Sequence, residues 1–165
     1  MSADRLKIRA VFDCMVFLQG AARRESPAGA CLLLAELEAV ELCLSEEILS
    51  EIRDVLARPS LRQKFPVLSD EFVQRFVAAI EKRAVVFPEV PRVFVYERDP
   101  KDEPYINLAI AAGASYLVSR DNDVLGLAKL SNPDGGRLKG HAPHLQILDP
   151  VSFLAEVRRG LQTAV

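Results

Sequence analysis

The stretch Ala114-Ser115-Tyr116-Leu117-Val118-Ser119-Arg120-Asp121-Asn122-Asp123 decides the fold that we expect for this chain. An apolar run of strand-forming residues ends there in a hydroxyl and two carboxylates. The segment before it, 102–112, has helical spacing and is closed by Gly113. A helix, a glycine turn and a buried strand are typical of one unit of a parallel sheet. Because such sheets bind ligands beyond the carboxyl ends of their strands, we expect Asp121 and Asp123 to lie at a site.

Composition limits the kinds of protein that this chain can be. It has 165 residues, half of them hydrophobic, and a net charge of −2. The length suits a single domain, which we place at residues 1–165 with a core at 8–157. The small net charge gives no global attraction to nucleic acid, so such a contact would need a local basic patch. Three cysteines without zinc spacing indicate a reduced, cytoplasmic protein. We find no signal peptide, and no apolar run reaches the roughly 20 residues that span a bilayer.

The rest of the chain alternates between strand and helix patterns. Strands are predicted at 8–12, 40–44, 85–87 and 145–148, with a further short extended run at 93–96. Helices are predicted at 30–39, 46–58, 71–83 and from 150 onward. Segments rich in Gly, Pro and basic residues, 19–29 and 131–144, are predicted to be loops. This alternation predicts an α/β fold with a mostly parallel sheet and helices on both faces.

Four acids stand out by their positions in these elements. Asp13 ends the first strand, Asp121 ends a later one, and Asp102 begins the helix that leads to it. The carboxyl ends of parallel strands and the starts of the following helices lie on one side of the sheet, so these three acids can meet. Glu51 lies at the margin of a helix face and can reach round its edge. Clustered carboxylates need a counter-charge, and Mg²⁺ with phosphoryl chemistry is the natural match.

Each of these residues also has a structural explanation. Asp102 can be a helix N-cap, and Asp13 a turn residue. Glu51 can be an exposed helix residue, and Asp123 a loop acid. Ser119 can simply terminate its strand. The sequence alone leaves both explanations open for each residue.

Four motifs in order give the chain a family resemblance. They are Val11–Asp13, Ser45–Ile52, Asp102–Ala109 and Ser119–Leu125. Together they resemble the PIN-domain family, and most closely its toxin components of toxin–antitoxin systems, over the chain from about residue 8 to 153. The resemblance implies a three-layer α/β/α sandwich and a ribonuclease that depends on Mg²⁺ or Mn²⁺.

The resemblance also assigns roles to residues. Four acids would hold the metal and carry catalysis, namely Asp13, Glu51, Asp102 and Asp121. Asp123 would be a supporting acid, and Ser119 would orient the last acid or a water. A water would attack the RNA phosphodiester phosphorus, and none of the acids would be a covalent nucleophile.

The partners implied by the resemblance are RNA, an antitoxin protein and a second copy of the chain in a homodimer. No membrane partner is expected. Four basic residues are candidates for holding the RNA backbone, namely Arg23, Arg24, Lys101 and Arg120.

One position departs from the family pattern. The family commonly has Asp-x-Asn after the first strand, whereas this chain has Asp13-Cys14-Met15. Met15 cannot form the hydrogen bonds of an asparagine. A second hypothesis is therefore a catalytically weak or silent PIN-like domain that binds RNA or a protein. A third, a phosphatase with Asp13 as nucleophile, is disfavoured because position 15 lacks the second acid of an Asp-x-Asp motif.

Overall fold

The computed structural model describes residues 8–163, and the side chains of residues 8–161. Within this range the strands are β1 (Arg9–Phe12), β2 (Glu41–Ser45), β3 (Val85–Phe87), β4 (Tyr116–Val118) and β5 (Gln146–Leu148). They form one sheet in the order β3-β2-β1-β4-β5, and every neighbouring pair is parallel. The predicted parallel α/β architecture is therefore confirmed.

Helices lie on both sides of this sheet. They are α1 (Cys14–Ala22), α2 (Pro27–Glu36), α3 (Glu46–Leu56), α4 (Pro59–Lys64), α5 (Asp70–Arg83), α6 (Glu103–Ala112), α7 (Asn122–Leu125), α8 (Pro133–His141) and α9 (Pro150–Thr163). A short 3-10 turn, Gly126–Ala128, follows α7. Over the described part of the chain, no helix has both the length and the apolar character needed to cross a membrane.

The central strand β1 organises the core. Ala10, Val11 and Phe12 have no exposed surface, because helices cover the strand on both faces. The Phe12 ring packs against Phe17 of α1 and Phe153 of α9, with ring centroids 6.0 and 5.7 Å away. A continuous apolar run of this kind is what a strand buried on both faces requires.

The start of α3 follows the predicted capping pattern. The Ser45 hydroxyl accepts a hydrogen bond from the Ile48 N–H at 3.1 Å, as an N-cap does. The predicted apolar face of this helix is buried. This packing fixes the helix against the sheet and leaves Glu51 half-buried at the margin of that face.

The loop predicted at 19–29 is wrong, because α1 and α2 occupy most of it. Its glycines serve close helix packing instead of a turn. A Cβ at Gly20 would lie 2.3 Å from Leu32 Cδ1, and a Cβ at Gly29 would lie 2.1 Å from the Arg24 carbonyl oxygen. Glycine is therefore required at position 29, where the close atoms are backbone, whereas at position 20 the Leu32 side chain would have to shift.

The loop predicted at 131–144 is also wrong, because it contains α8. Asn132 caps this helix: its Oδ1 accepts hydrogen bonds from the Asp134 N–H at 2.9 Å and the Gly135 N–H at 3.3 Å. Pro133 takes the first helical position, where the missing N–H has no cost. The Asn-Pro start signal therefore outweighs the glycines that follow it.

The short extended run predicted at 93–96 does not join the sheet, although Phe94 and Tyr96 are completely buried. The segment runs along α6 instead of joining the sheet. Asn107 Oδ1 accepts the N–H groups of Val93 at 3.0 Å and Phe94 at 2.9 Å. A helix side chain thus replaces the strand neighbour that these backbone groups would otherwise need.

Candidate metal centre at the carboxyl edge of the sheet

Asp13 lies at the carboxyl end of β1, where it also caps α1. Its Oδ1 accepts a hydrogen bond from the Val16 N–H at 3.1 Å, and its Oδ2 accepts one from the Ser119 hydroxyl. The side chain is almost fully buried. Burial raises the pKa of Asp13, and the hydrogen bonds from Ser119 and Val16 oppose that rise.

Ser119 joins the ends of the two central strands, β1 and β4. It is fully buried, and the same hydroxyl that donates to Asp13 accepts a hydrogen bond from the Asp121 N–H at 2.9 Å. Asp121 in turn caps α7, since its Oδ1 accepts the Asp123 N–H at 2.7 Å. One hydroxyl therefore fixes Asp13 and Asp121 relative to each other. Ser119 thus does more than terminate its strand.

Asp102 precedes α6 but does not cap it, because its side chain makes no capping hydrogen bond. Its Oδ2 is buried and has no hydrogen-bond partner among the described residues. Burial, together with the negative charges of Asp121 and Asp99, raises the pKa of Asp102 to about 8. The helix-cap explanation for this residue therefore fails. What remains is a buried carboxyl group surrounded by other acids.

Glu51 is connected to the site through Tyr105 of α6. The Tyr105 hydroxyl donates a hydrogen bond of 2.9 Å to Glu51 Oε2. The thiol of Cys14 lies close enough to both acids that the charges of Glu51 and Asp13 add to the effect of burial and raise its pKa to about 11. Glu51 thus lies at the site and is half-buried there.

The acids with the closest convergence are not the predicted quartet. Over residues 8–161, one ligand oxygen from each of Asp99, Asp121 and Asp123 lies within 4.8 Å of the other two. Asp13, Glu51 and Asp102 belong to no such group in that range. Sequence reasoning missed Asp99. Its position three residues before Asp102, across Pro100, is the signal that could have identified it.

The segment that carries Asp99 is anchored on both sides of the site. The Tyr96 N–H donates to Glu103 Oε2 at 3.0 Å, and the Tyr96 hydroxyl donates to the Asp123 carbonyl oxygen at 2.7 Å. Arg98 Nε donates to Asp123 Oδ1 at 2.7 Å. Buried Glu103 and Tyr96 are positioning residues that sequence reasoning did not identify.

The basic residues proposed for RNA contacts lie on the surface. Arg23, Arg24, Lys101 and Arg120 are all exposed. The Arg120 guanidinium donates to the side-chain oxygen of Gln19 on α1, which places this charge beside the carboxyl edge of the sheet.

A family model described as PIN domain matches residues 9–123, which is well over half of the chain. The chain belongs to the PIN domain family. The matched residues run from β1 to Asp123 and include every acid described above. No curated protein and no solved structure matches the chain.

Membership sets the general chemistry of the site. The PIN domain is a nuclease-type fold whose members usually bind divalent metals, and PIN nucleases act on RNA. The sequence-based assignment to this family is therefore confirmed.

Proposed function

We propose that this PIN domain is an endoribonuclease that depends on Mg²⁺ or Mn²⁺ and hydrolyses RNA phosphodiester bonds. The observation that carries the proposal is the buried, unpartnered Oδ2 of Asp102 beside Asp121. A buried acceptor without a donor needs a partner, and a hard cation is the partner that suits a set of carboxylates. The residues therefore fit such an ion.

In this proposal the predicted quartet, Asp13, Glu51, Asp102 and Asp121, holds the cation. Asp123 and Ser119 support it. When bound, the ion supplies Lewis acidity that offsets phosphate charge and lowers the pKa of a coordinated water. The chain supplies the placement of the acids, through the Ser119 hydroxyl for two of them and the Tyr105 hydroxyl for a third.

The RNA backbone would run past Arg120, whose guanidinium is held beside the acids by Gln19. Arg23, Arg24 and Lys101 would extend this contact over the surface. Because each phosphate contact releases counterions, binding should weaken as salt increases. With a net charge of −2, the protein depends on this local group of cations for RNA binding.

The biological role that we propose follows the family resemblance. The chain would act in the cytoplasm as the toxin of a toxin–antitoxin pair, as a homodimer, and an antitoxin protein would bind and inhibit it. Size-exclusion chromatography with light scattering tests the dimer. Co-expression with the product of an adjacent small gene tests the antitoxin.

The central test is Mn²⁺-dependent cleavage of a mixed-sequence single-stranded RNA. Asp121→Asn is the diagnostic variant, because asparagine keeps the N-cap of α7 while the ligand charge is lost. Asp54→Asn, at an exposed position on α3, is the matched control. We expect cleavage by the wild type and Asp54→Asn, and a fall of about 100-fold or more in Asp121→Asn. Equal cleavage by all three would indicate a contaminating nuclease and contradict the proposal.

A catalytically silent domain that binds RNA or protein is the second candidate, and Met15 favours it. The side chain of Met15 is 45% exposed at the start of α1 and contributes no hydrogen bond to the acids. The contacts of Asp13 argue against a silent domain. The Val16 N–H and the Ser119 hydroxyl already donate to its carboxylate, so no side chain at position 15 is needed to hold it. Mn²⁺ binding without cleavage of any RNA tested would favour this candidate.

A further inference from the structure

The turn between the 93–96 segment and α6 brings one more carboxylate to the site. We propose that Asp99 is a further ligand of the divalent cation, beside Asp121, Asp123 and the buried oxygen of Asp102. This inference rests on the proposed function, because it concerns the ion that the function requires. The ligand oxygens of Asp99, Asp121 and Asp123 lie within 4.8 Å of one another, close enough for one ion to contact all three.

A second, independent observation is the burial of the Asp102 carboxylate, one oxygen of which has no hydrogen-bond partner among the described residues. Its side chain is 8% exposed, and its Oδ2 is fully buried without a hydrogen-bond partner in the described part of the chain. The carboxylates of Asp121 and Asp99 are the charges that act most strongly on it. An orphaned buried oxygen facing these acids is left unsatisfied unless a cation or a proton occupies the space between them.

Two other acids of the quartet, Asp13 and Glu51, accept hydrogen bonds from protein donors. Both oxygens of Asp13 accept hydrogen bonds, from Val16 and Ser119. Glu51 Oε2 accepts one from Tyr105. Asp102 Oδ2, the buried side-chain oxygen without a donor in the described part of the chain, therefore lies on the side of the site where Asp99 lies.

Hydrogen bonds within its turn hold Asp99 in place. Its Oδ1 accepts the Lys101 N–H at 3.1 Å, and its carbonyl oxygen accepts the Asp102 N–H at 3.1 Å. The neighbouring Arg98 donates to Asp123 Oδ1, and its side chain is 68% exposed. The guanidinium can therefore swing into solvent when an ion takes its place beside Asp123.

The experiment measures Mn²⁺ binding directly, with no RNA present. Free Mn²⁺ is followed by electron paramagnetic resonance while the full chain is titrated, for the wild type, Asp99→Asn, Asp121→Asn and Asp54→Asn. Asparagine at position 99 can still accept the Lys101 N–H, so the turn is retained, and circular dichroism of the metal-free variants checks the fold. We expect Asp99→Asn to weaken Mn²⁺ binding by about 10-fold or more, and Asp54→Asn to match the wild type.

The outcomes separate the two proposals. If Asp99→Asn binds Mn²⁺ like the wild type while Asp121→Asn does not, Asp99 is not a ligand and the metal-dependent function stands. If the wild type does not bind Mn²⁺, the metal centre itself is rejected, and the inference about Asp99 with it. Weakened binding in both Asp99→Asn and Asp121→Asn, with an unchanged control, supports both.

Discussion

The acids at the carboxyl edge of the sheet fall into two groups that differ in what their oxygens face. The donor-held acids, Asp13 and Glu51, accept hydrogen bonds from Ser119, Val16 and Tyr105. The acid-facing group is Asp99, Asp102, Asp121 and Asp123, in which ligand oxygens approach one another or, at Asp102, remain without a partner. The donor-held acids are stabilised by hydrogen bonds from the protein, whereas the buried Oδ2 of Asp102 needs a cation or a proton.

Ser119→Ala should have the largest effect, because Ser119 serves both groups. The change removes the donor to Asp13 and the acceptor for the Asp121 N–H, and both are at least partly buried. We expect a loss of about 2–3 kcal/mol in the free energy of unfolding, measured by urea denaturation. Ser119→Thr retains the hydroxyl and is the control. A loss as large in Ser119→Thr would point to packing and not to the hydrogen bonds.

Asp102→Asn should increase the free energy of unfolding, by an amount that depends on pH. The pKa of Asp102 is about 8 in the folded protein, well above the unfolded value of about 3.9. The folded state therefore binds more protons between these values, so this group contributes stability at low pH that is lost as the pH rises through 8. In metal-free buffer at pH 8, asparagine should stabilise the protein by about 1–2 kcal/mol.

The decisive measurement is how the difference in stability between Asp102→Asn and the wild type changes with pH. The advantage of Asp102→Asn should shrink toward pH 5, where the wild-type carboxyl is neutral in the folded state. Thermal melts in EDTA from pH 5 to pH 9 test this. An advantage that does not change with pH would show that Asp102 does not titrate in this window.

Tyr105→Phe should have a smaller effect, since it removes a single donor from the donor-held group. Glu51 loses one hydrogen bond but remains half-exposed, so water can replace the donor in part. We expect a loss of about 0.5–1.5 kcal/mol in urea denaturation. Tyr116→Phe, at the amino end of β4 and away from the acids, is the matched control. Equal losses in the two variants would mean that the bond to Glu51 contributes nothing specific.

Arg98→Gln should have the smallest effect. Its ion pair with Asp123 is exposed, so the melting temperature should not change measurably. Because Asp123 would no longer be shared with the guanidinium, Mn²⁺ affinity should rise by about two- to threefold. Arg75→Gln, which removes a similar exposed pair on α5, is the control. A fall in affinity would show instead that Arg98 positions Asp123 for the ion.

The fold could be predicted from the sequence where local patterns and burial agree. The apolar strands followed by acids at Asp13 and Asp121 were recognisable because strands covered on both faces read as unbroken apolar runs. The α3 start at Ser45 was recognisable from its capping pattern. The predictions failed at 19–29 and 131–144 because glycine was interpreted as a breaker. At Gly20 and Gly29 the glycine instead leaves room for neighbouring atoms, those of the Leu32 side chain and the Arg24 backbone. The pattern of residues around each glycine does not reveal these contacts.

The candidate site, like the fold, could be predicted from the sequence only in part. By itself, the sequence determined that carboxylates end two strands and begin the helix between them, and parallel pairing is enough to bring such ends to one edge. Only the tertiary structure decided which oxygens converge and which receive donors. Asp99 reaches Asp121 because Glu103 and Asn107 hold the preceding segment against α6, and Glu51 reaches Tyr105 because two helices pack together. These distances depend on contacts between segments far apart in sequence, which short-range periodicity does not encode.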